Sequence, residues 1–179
     1  MVGEIRDGET AKISIEAALT GHFVLSTLHT NDAPSAISRL NEMGVEPFLT
    51  GASLSAVLAQ RLARKLCPHC SEPYEPTAED LHALQISDEL ATRLEGKTTF
   101  SRRRGCPRCG QTGYRGRVGI FQLMEMDEEL EKLASERSSR DEIEQSARIQ
   151  GMRSLWEDGV LKVAAGITTT EELARVCVT

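Results

Sequence analysis

Two pairs of cysteines constrain this chain more than any other feature of its sequence. They are Cys67-Pro-His-Cys70 and Cys106-Pro-Arg-Cys109, with a proline after the first cysteine of each pair. Thiols at this spacing share one tight turn, so each pair offers one edge of a tetrahedral metal site. Four thiolates fill the coordination sphere of Zn²⁺ and leave no position for a substrate. We therefore expect a structural zinc site. A disulfide pair, or His69 or His82 replacing one sulfur, is the alternative.

The composition is typical of a soluble globular protein in a reducing compartment. Of the 179 residues, 40% are hydrophobic, 27% are charged and 4% are aromatic, and the net charge is −6. An acidic chain with few aromatic residues is a poor general partner for nucleic acid or anionic lipid. Four of the five cysteines belong to the two pairs and leave Cys177 over, which favours a cytoplasmic protein. No apolar run reaches the roughly 20 residues that span a bilayer, so we expect no direct membrane span.

Hydrophobic periodicity predicts an α/β arrangement in the first third of the chain. Asp7 and Asp32 each precede an amphipathic pattern and are expected to cap a helix. Residues 23–28 are a short apolar run, which predicts a buried strand between those helices. Leucines spaced largely four apart predict one long helix from Pro47 to Leu66, which would deliver the first cysteine pair.

The second half of the chain predicts a polar insert followed by helices. Short helices are expected over 78–84 and 88–94, and a strand over 120–124. Three helices should follow, two of them beginning with a Ser/Thr-x-x-Glu capping box. Apolar residues at helical spacing between the boxes are expected to be core. The boxes are Ser139 with Glu142 and Thr169 with Glu172, and the apolar residues are Met152, Leu155, Trp156, Val160 and Val163.

Four residues near the N-terminus are candidates for chemistry. Glu4 follows an apolar start and lies next but one to Arg6, which suits a carboxylate that orients or activates a water molecule. His22 and His29 fall at the two ends of the predicted strand, and His29 is where parallel strands end and ligands collect. The plainer alternatives are a polar loop around Glu4 and histidines with only structural contacts.

Seven basic residues occur in the stretch from Lys97 to Arg117 without an intervening Asp or Glu. In an acidic chain they predict a local basic face that would suit nucleic acid, an acidic protein or a phosphate group. The alternative is a solvated rim around the metal module. The seven are Lys97, Arg102, Arg103, Arg104, Arg108, Arg115 and Arg117.

Two stretches have part of the pattern of a phosphate-binding loop. The stretch 91–98 ends in Gly-Lys-Thr but lacks the first glycine, and it follows a helical pattern rather than a strand. The stretch 105–112 has the glycine spacing but carries Gln111 at the lysine position, and its cysteines are needed for metal. Neither is expected to bind phosphate.

Taken together, these stretches resemble the C-terminal half of the secretion ATPase superfamily. The likeness is greatest to the branch that contains the type II secretion traffic ATPases and the type IV pilus assembly ATPases. Residues 2–7 are similar to the end of the family's Walker B segment, and residues 20–32 to its histidine box. Residues 60–67, together with the second cysteine pair, are similar to its tetracysteine zinc module. Residues 113–120 and 150–159 are similar to its C-terminal signatures.

The resemblance implies an α/β fold with part of a RecA-like P-loop ATPase core, a tetracysteine zinc insert and an all-helical C-terminal part. Residues 1–66 would belong to the core and would contain the Walker B end, the histidine box and the long helix. Residues 67–112 would be the zinc module that holds Zn²⁺ on Cys67, Cys70, Cys106 and Cys109. Residues 113–179 would supply a return strand and a helical subdomain.

The resemblance also implies roles and partners. Glu4 corresponds to the glutamate that prepares the attacking water and His29 to the histidine that senses the γ-phosphate, with Arg6 and His22 also near the nucleotide. The family works as a homohexameric ring on the cytoplasmic face of the inner membrane, where it acts on a membrane platform protein in secretion or pilus assembly. No nucleic-acid partner is expected by this likeness. A zinc-clamped binding module using Lys97–Arg117 is the alternative function.

The position of Met1 adds one expectation. In the family, the phosphate loop and the acidic box precede Walker B, whereas this chain begins inside that segment. We therefore expect a truncated gene or a fragment. ATP and Mg²⁺ are expected only in a full-length protein, and the 179 residues alone should show no appreciable ATPase activity.

Overall fold

The computed structural model describes residues 1–84 and 100–177, and the chain folds into two compact units. The first unit comprises Met1–Ala59 and Gln122–Met152, and the second comprises Gln60–Phe121 and Arg153–Thr179. This division reflects packing. The three predicted domains, bounded at residues 66 and 112, are sequence modules and stay a prediction.

Among the described residues, helices and two pairs of strands form the regular structure, so the content is mixed α/β, as predicted. In chain order the elements are α1 (Gly8–Leu19), α2 (Ser35–Glu42), α3 (Pro47–Ser53), β1 (Ala56–Leu66), β2 (Glu72–Tyr74), α4 (Ala78–Ala83), β3 (Phe100–Arg102), a 3-10 turn (Pro107–Cys109), β4 (Tyr114–Glu125), α5 (Glu128–Ser135), α6 (Arg140–Ile149), α7 (Leu155–Ala164) and α8 (Thr170–Cys177). β1 pairs with β4, and β2 pairs antiparallel with β3. The predicted helix over 88–94 lies outside the described residues. Among those described, none of the helices combines the length and the apolar character that crossing a membrane requires.

The first two helices begin where the sequence predicts. Asp7 Oδ1 accepts a hydrogen bond from Thr10 N at 2.8 Å, which caps α1. Asp32 Oδ1 accepts from Ser35 N at 2.9 Å at the start of α2. Gly44 follows α2 with a φ of 87°, a left-handed conformation that glycine adopts without strain and that ends the helix.

The first unit buries its apolar residues in two clusters. In the first cluster, the inward faces of α1 and α2 pack against Ile5 and Val45. The second cluster lies between β4, α5 and α6. The members of the first cluster are Ile5, Ala11, Ile15, Leu40 and Val45. Those of the second include Ile37, Met124, Leu130, Ile143 and Met152. Met152 therefore packs in this unit, apart from the rest of the predicted stripe.

The predicted long helix from Pro47 to Leu66 is wrong. The chain is helical only to Ser53 and then forms strand β1 from Ala56. A spacing of four residues is even, so the same leucines also share one face of a strand, where side chains alternate. In β1 the buried residues are Ala59, Ala63 and Leu66, whereas Leu58 and Leu62 are exposed. Pairing with β4 supplies hydrogen bonds that decide between the two structures, as often happens for strands.

The predicted buried strand over residues 23–28 is also wrong. The segment is extended but is not assigned as a strand, and Phe23 is 84% exposed. Its backbone bonds to the residues near the N-terminus, where Val2 N donates to Leu25 O and Ile5 N to Thr27 O, both at 2.9 Å. Leu25 is also exposed, and Val24 and Leu28 are only half-buried, so the segment lacks the burial that its apolar run predicts.

The second unit has its own core between β3, β4, α7 and α8. Its buried members include Phe100, Ile120, Val160, Val163 and Leu173. Leu155 and Trp156 pack against this core, as the apolar stripe predicts. Trp156 Nε1 donates to Leu84 O at 2.7 Å, which satisfies the indole N–H within an apolar setting.

One of the two predicted capping boxes is confirmed. Ser139 and Glu142 bond reciprocally at the start of α6. At α8 only half of the box forms, because Glu172 N donates to Thr169 Oγ1 at 3.3 Å while the Glu172 carboxylate bonds to Arg64 and Arg175. That carboxylate therefore serves the tertiary structure rather than the helix end.

We predict that Gly51→Ala destabilises the first unit. A Cβ atom at Gly51 in α3 would lie 2.7 Å from Glu131 O in α5. Moving a backbone carbonyl away costs about 1–3 kcal/mol, whereas Gly→Ala at an open helix position stabilises by roughly 0.5–1 kcal/mol. Urea unfolding followed by circular dichroism shows whether Gly51→Ala lowers or raises the free energy of unfolding. Ala52→Gly at the exposed neighbour is the control for helix propensity, and a stabilised Gly51→Ala protein would contradict the packing of α3 on α5.

Candidate functional site

The structure brings the four predicted metal ligands together. Their four sulfurs all lie within 4.8 Å of one another. Cys67 Sγ lies 4.0 Å from Cys106 Sγ, Cys70 Sγ lies 3.9 Å from Cys109 Sγ, and Cys106 Sγ lies 3.7 Å from Cys109 Sγ. A tetrahedral ion bound at about 2.3 Å from each sulfur separates the sulfurs by roughly 3.8 Å. The four sulfurs therefore fit such an ion.

The alternatives to a four-cysteine site find no support among the described residues. All four cysteines are free thiols rather than disulfides. The His69 ring accepts a hydrogen bond from Arg108 at 3.0 Å, so it pairs the two turns at their exposed tips and is not part of the sulfur cluster. His82 lies exposed on α4.

The pairing of β1 with β4 places the two cysteine turns side by side. Met126 N donates to Ser55 O at one end of the pair, and Cys67 N donates to Gly113 O at 2.9 Å at the other, so the strands run antiparallel. The first turn leaves the end of β1 and the second precedes β4. Each turn closes on a backbone bond from its second cysteine to its first, at 3.2 Å for Cys70 and 3.1 Å for Cys109.

Two backbone N–H groups stabilise negative charge on the sulfur of Cys109. Cys106 N and Gly113 N each donate to Cys109 Sγ at 3.2 Å. Loss of hydration would raise the pKa of Cys109, but these two donors favour the thiolate and lower the pKa to about 6. Loss of hydration raises the pKa of Cys70 to about 11. A divalent cation deprotonates coordinating thiols, so it would remove this difference between the sulfurs.

The N-terminal candidates form a second cluster, in the first unit. The extended residues 2–5 and 25–27 lie side by side in the same direction, and Thr27 Oγ1 donates to Gly3 O at 2.8 Å. This pairing brings Glu4 against His29. Glu4 Oε1 lies 2.5 Å from His29 Nε2, and Glu4 Oε2 lies 2.5 Å from a terminal nitrogen of Arg6.

The Glu4 carboxylate is an ionised group with one unused acceptor. The hydrogen bond from Arg6 holds the pKa of Glu4 below its usual value, although loss of hydration opposes this. The side chain is 22% exposed, while Arg6 and His29 are largely in solvent. Within the described chain, the buried Oε1 accepts no hydrogen bond, since the close His29 nitrogen lies outside hydrogen-bond geometry. A buried carboxylate oxygen without a hydrogen bond is an unsatisfied acceptor, which is rare in folded proteins and marks the group as a candidate for function.

His22 has a different setting from the other three candidates. Its Nδ1 lies 3.2 Å from Ala17 O and from Thr20 Oγ1, at the C-terminal end of α1. A ring N–H at this place satisfies one of the last helix carbonyls. These contacts fit the structural alternative for His22, and its link to nucleotide stays a prediction.

Sequence analysis missed two residues that hold the segment after His29. Arg140 donates from Nε and a terminal nitrogen to Asp32 Oδ2, at 3.0 and 2.8 Å. Burial alone would raise the pKa of Asp32, but hydrogen bonds from Ser35 and Arg140 lower it. Gln122 Oε1 accepts from Ala33 N at 3.0 Å in a buried position. Both partners are about 90 to 110 residues away in the chain, so no local pattern signals them.

The basic face is partly neutralised where the structure describes it. Arg104 lies 2.7 Å and Arg102 3.6 Å from Glu72 Oε2, and Arg103 lies over the Tyr114 ring. Arg115 and Arg117 are exposed on β4, and Lys97 and the partial phosphate-loop pattern at 91–98 lie outside the described residues. These contacts favour the solvated rim over a surface that binds nucleic acid.

Comparison with known proteins decides the family. The profile of the family described as "Type II/IV secretion system protein" matches residues 1–175. The chain belongs to that family. It is 51% identical over 176 residues to the type IV pilus assembly ATPase PilB of Thermus thermophilus. It is 49% identical over 176 residues to the type II secretion system protein E of Pseudomonas aeruginosa.

The relatives are longer than this chain. Both alignments cover 98% of the chain but only 19% of the first relative and 34% of the second. The ATPase DotB of Legionella pneumophila has a similar fold, with a TM-score of 0.61 and 20% identity over 98% of this chain and 37% of that one. The pilus retraction motor PilT with bound ADP also has a TM-score of 0.61 at 20% identity, over 97% of this chain and 38% of that one. The predicted family is therefore confirmed, and the solved structures show the fold.

We predict that the purified protein contains one zinc ion per chain, as measured by elemental mass spectrometry. Cys106→Ser removes one of four thiolates and should lower the zinc content well below one after dialysis against a chelator, because serine is a poor ligand for this ion. Cys177→Ser is the matched control, since Cys177 lies outside the cluster and should leave the zinc content unchanged. Zinc bound equally by both variants would contradict the four-sulfur site.

We also predict that Gly113→Ala costs more stability than Gly116→Ala. The two glycines have φ angles of 77° and 81°, so alanine is strained equally at both, by about 1–2 kcal/mol. A Cβ atom at Gly113 would also lie 2.5 Å from Arg103 Cβ, whereas none lies within 4 Å of one at Gly116. The clash should add about 1–3 kcal/mol. Urea unfolding in saturating zinc gives the free energy of unfolding of both variants. Equal losses of stability would contradict the close approach of Gly113 to Arg103 beside the second cysteine turn.

Proposed function

We propose that this chain forms part of a RecA-like P-loop ATPase core and its zinc insert, in a motor that hydrolyses ATP for type II secretion or type IV pilus assembly. Membership of the type II/IV secretion family supports the process. The observation that carries the chemistry is the Glu4 carboxylate, which is ionised, contacts Arg6 and His29, and has one buried oxygen that accepts no hydrogen bond.

In this proposal Glu4 orients the water that attacks the γ-phosphate. Phosphoryl transfer depends on positioning and on charge stabilisation more than on covalent chemistry. Arg6 contacts Oε2 and His29 contacts Oε1, so the carboxylate has a fixed orientation and a water that it binds would be oriented as well. Ionisation at neutral pH keeps both oxygens as acceptors.

His29 and Arg6 are the candidates for sensing the nucleotide. Both contact Glu4 and both side chains extend into solvent, where an incoming phosphate group would meet them. A γ-phosphate would compete with Glu4 for contact with these two side chains, which links the state of the nucleotide to the position of the carboxylate. His22 would lie farther from the nucleotide than these two residues and act on it indirectly, because its described bonds are to the end of α1.

We further propose that the metal is zinc and that its role is structural. Four sulfurs at tetrahedral spacing occupy every coordination position, so the ion is not a catalytic one. Its contribution would be to hold the second unit together, since binding of structural zinc is worth about 10–16 kcal/mol in small modules. Cys67, Cys70, Cys106 and Cys109 would be its ligands.

The remaining parts of the proposal belong to the longer protein. The 179 residues contain no GxxxxGK[ST] loop, which in P-loop enzymes cradles the β- and γ-phosphates. ATP and Mg²⁺ would therefore bind where this chain is joined to that loop. The working assembly would be a homohexameric ring at the cytoplasmic face of the inner membrane, acting through a membrane platform protein.

A chimera tests the proposed role of Glu4. The 176 residues that align with the Thermus thermophilus relative would replace its matching stretch, since the two are 51% identical there. The chimera should hydrolyse ATP, and Glu4→Gln should lower kcat by about 10²–10⁴-fold, the range for loss of a general base or water-positioning group. Phosphate release at saturating ATP and Mg²⁺ is the measurement.

Glu9→Gln is the matched control for this experiment, because Glu9 is an exposed carboxylate in the first turn of α1 and should leave kcat unchanged. A Glu4→Gln chimera that hydrolyses ATP at the normal rate would contradict the proposed role. The isolated chain should release no phosphate above the level of its own Glu4→Gln variant. Magnesium-dependent turnover that this substitution abolishes would overturn the expectation of an inactive fragment.

A further inference from the structure

The segment before α8 bonds to the end of β1, next to the first cysteine turn. Leu66 N donates to Ile167 O at 2.8 Å, and Thr168 Oγ1 donates to Arg64 O at 2.9 Å. Cys67 follows Leu66 directly. We name Ile167, Thr168, Thr169 and Glu172 the C-terminal clamp.

Glu172 makes the strongest contacts of the C-terminal clamp. Its carboxylate is 1% exposed and accepts from three donors of Arg64: the backbone N at 2.9 Å, Nε at 3.0 Å and a terminal nitrogen at 2.7 Å. Arg175 also donates to both oxygens. Burial alone would raise the pKa of Glu172, but the bonds from Arg175 and Arg64 lower it to about 2. The group is therefore a charged carboxylate with its acceptors filled.

The clamp also bonds to the start of β4, which follows the second cysteine turn. Tyr114 Oη lies 2.8 Å from Thr169 Oγ1 in a buried hydrogen bond. The Arg64 guanidinium lies 4.4 Å above the Tyr114 ring, so the residue that Glu172 holds on β1 also packs on β4. Tyr114 directly follows Gly113 in the chain, and the Gly113 N–H donates to Cys109 Sγ.

Through these contacts the C-terminal clamp bonds both to the end of β1 and to the start of β4, the two strand ends next to the cysteine turns. Three pairs of sulfurs lie 3.7–4.0 Å apart, and the two distances that join the turns depend on how the end of β1 lies against the start of β4. Groups that orient ligands without touching the metal commonly change metal affinity by 10–100-fold when replaced. The clamp has the position of such a group for both turns at once.

We infer that the C-terminal clamp positions the two cysteine turns, with Glu172 as the positioning residue, so that metal binding and the docking of α8 are coupled. This inference rests on the proposed zinc centre. Coupling of two binding events is reciprocal, so loss of the metal should loosen α8 by the same factor that loss of the clamp weakens the metal site.

Zinc release from the intact chain tests the first half of the inference. Zinc transfer to an excess of a coloured chelator at pH 7 should be about 10–100-fold faster for Glu172→Gln than for the wild-type protein. Glu171→Gln is the matched control, because this exposed neighbour on α8 loses the same charge outside the clamp. Fluorescence of Trp156, the one tryptophan of the chain, checks that the core of the second unit stays folded during the assay.

A second variant covers the case in which Glu172→Gln does not fold. Tyr114→Phe keeps the ring beneath Arg64 and removes only the hydroxyl that meets Thr169, so it should fold and speed zinc release about fivefold, the usual effect of one lost hydrogen bond. Hydrogen exchange tests the second half. Amides of α8 should exchange at least tenfold faster in metal-free wild-type protein than in zinc-loaded protein.

The possible outcomes separate the two proposals. A wild-type protein that binds no zinc would overturn the metal centre itself. Zinc binding with equal release rates in wild type, Glu172→Gln and Tyr114→Phe would leave the metal centre standing and overturn the clamp. Exchange of α8 that does not respond to zinc would also overturn the coupling. Faster release confined to the two clamp variants, with faster exchange on metal removal, supports it.

Discussion

The antiparallel pairing of β1 with β4 is the constraint on which the four-cysteine cluster depends. The two cysteine pairs are 39 residues apart in the chain, yet the end of one strand lies beside the start of the other and carries both turns to the same place. Once there, the backbone N–H groups of Cys106 and Gly113 bond to the Cys109 sulfur and favour its charged form. The sulfur cluster is therefore a product of strand register as much as of cysteine spacing, and the C-terminal clamp bears on that register.

The cluster around Glu4 has a different physical basis. Two short extended segments, each too small to be assigned as a strand, align Glu4 with His29 through a few backbone bonds. The following segment is then held by Arg140 and Gln122, which contact Asp32 and Ala33. Two of its three side chains, Arg6 and His29, are largely in solvent, whereas the four sulfurs of the other cluster are buried or half-buried.

Prediction from sequence succeeded where the signal is local. The caps at Asp7 and Ser139 depend on bonds within three residues, and the pairs of cysteines fit one turn each. It failed for β1, because an even spacing of leucines fits a helix and a strand alike and the choice depends on a distant partner. It failed again at Glu172, where a capping-box pattern conceals a carboxylate that bonds to Arg64, 108 residues away.

The sequence by itself determined the ligand types, the candidate carboxylate and the family, because these depend on residue identity and on short spacing. Only the tertiary structure decided which groups meet: His29 with Glu4, the four sulfurs with one another, and Glu172 with both ends of the β1–β4 pair. Such meetings are set by strand pairing and by burial of charge, which join residues that no local pattern connects. That is why the sequence pointed to a metal site, while the structure was needed to find the residues that hold it in place.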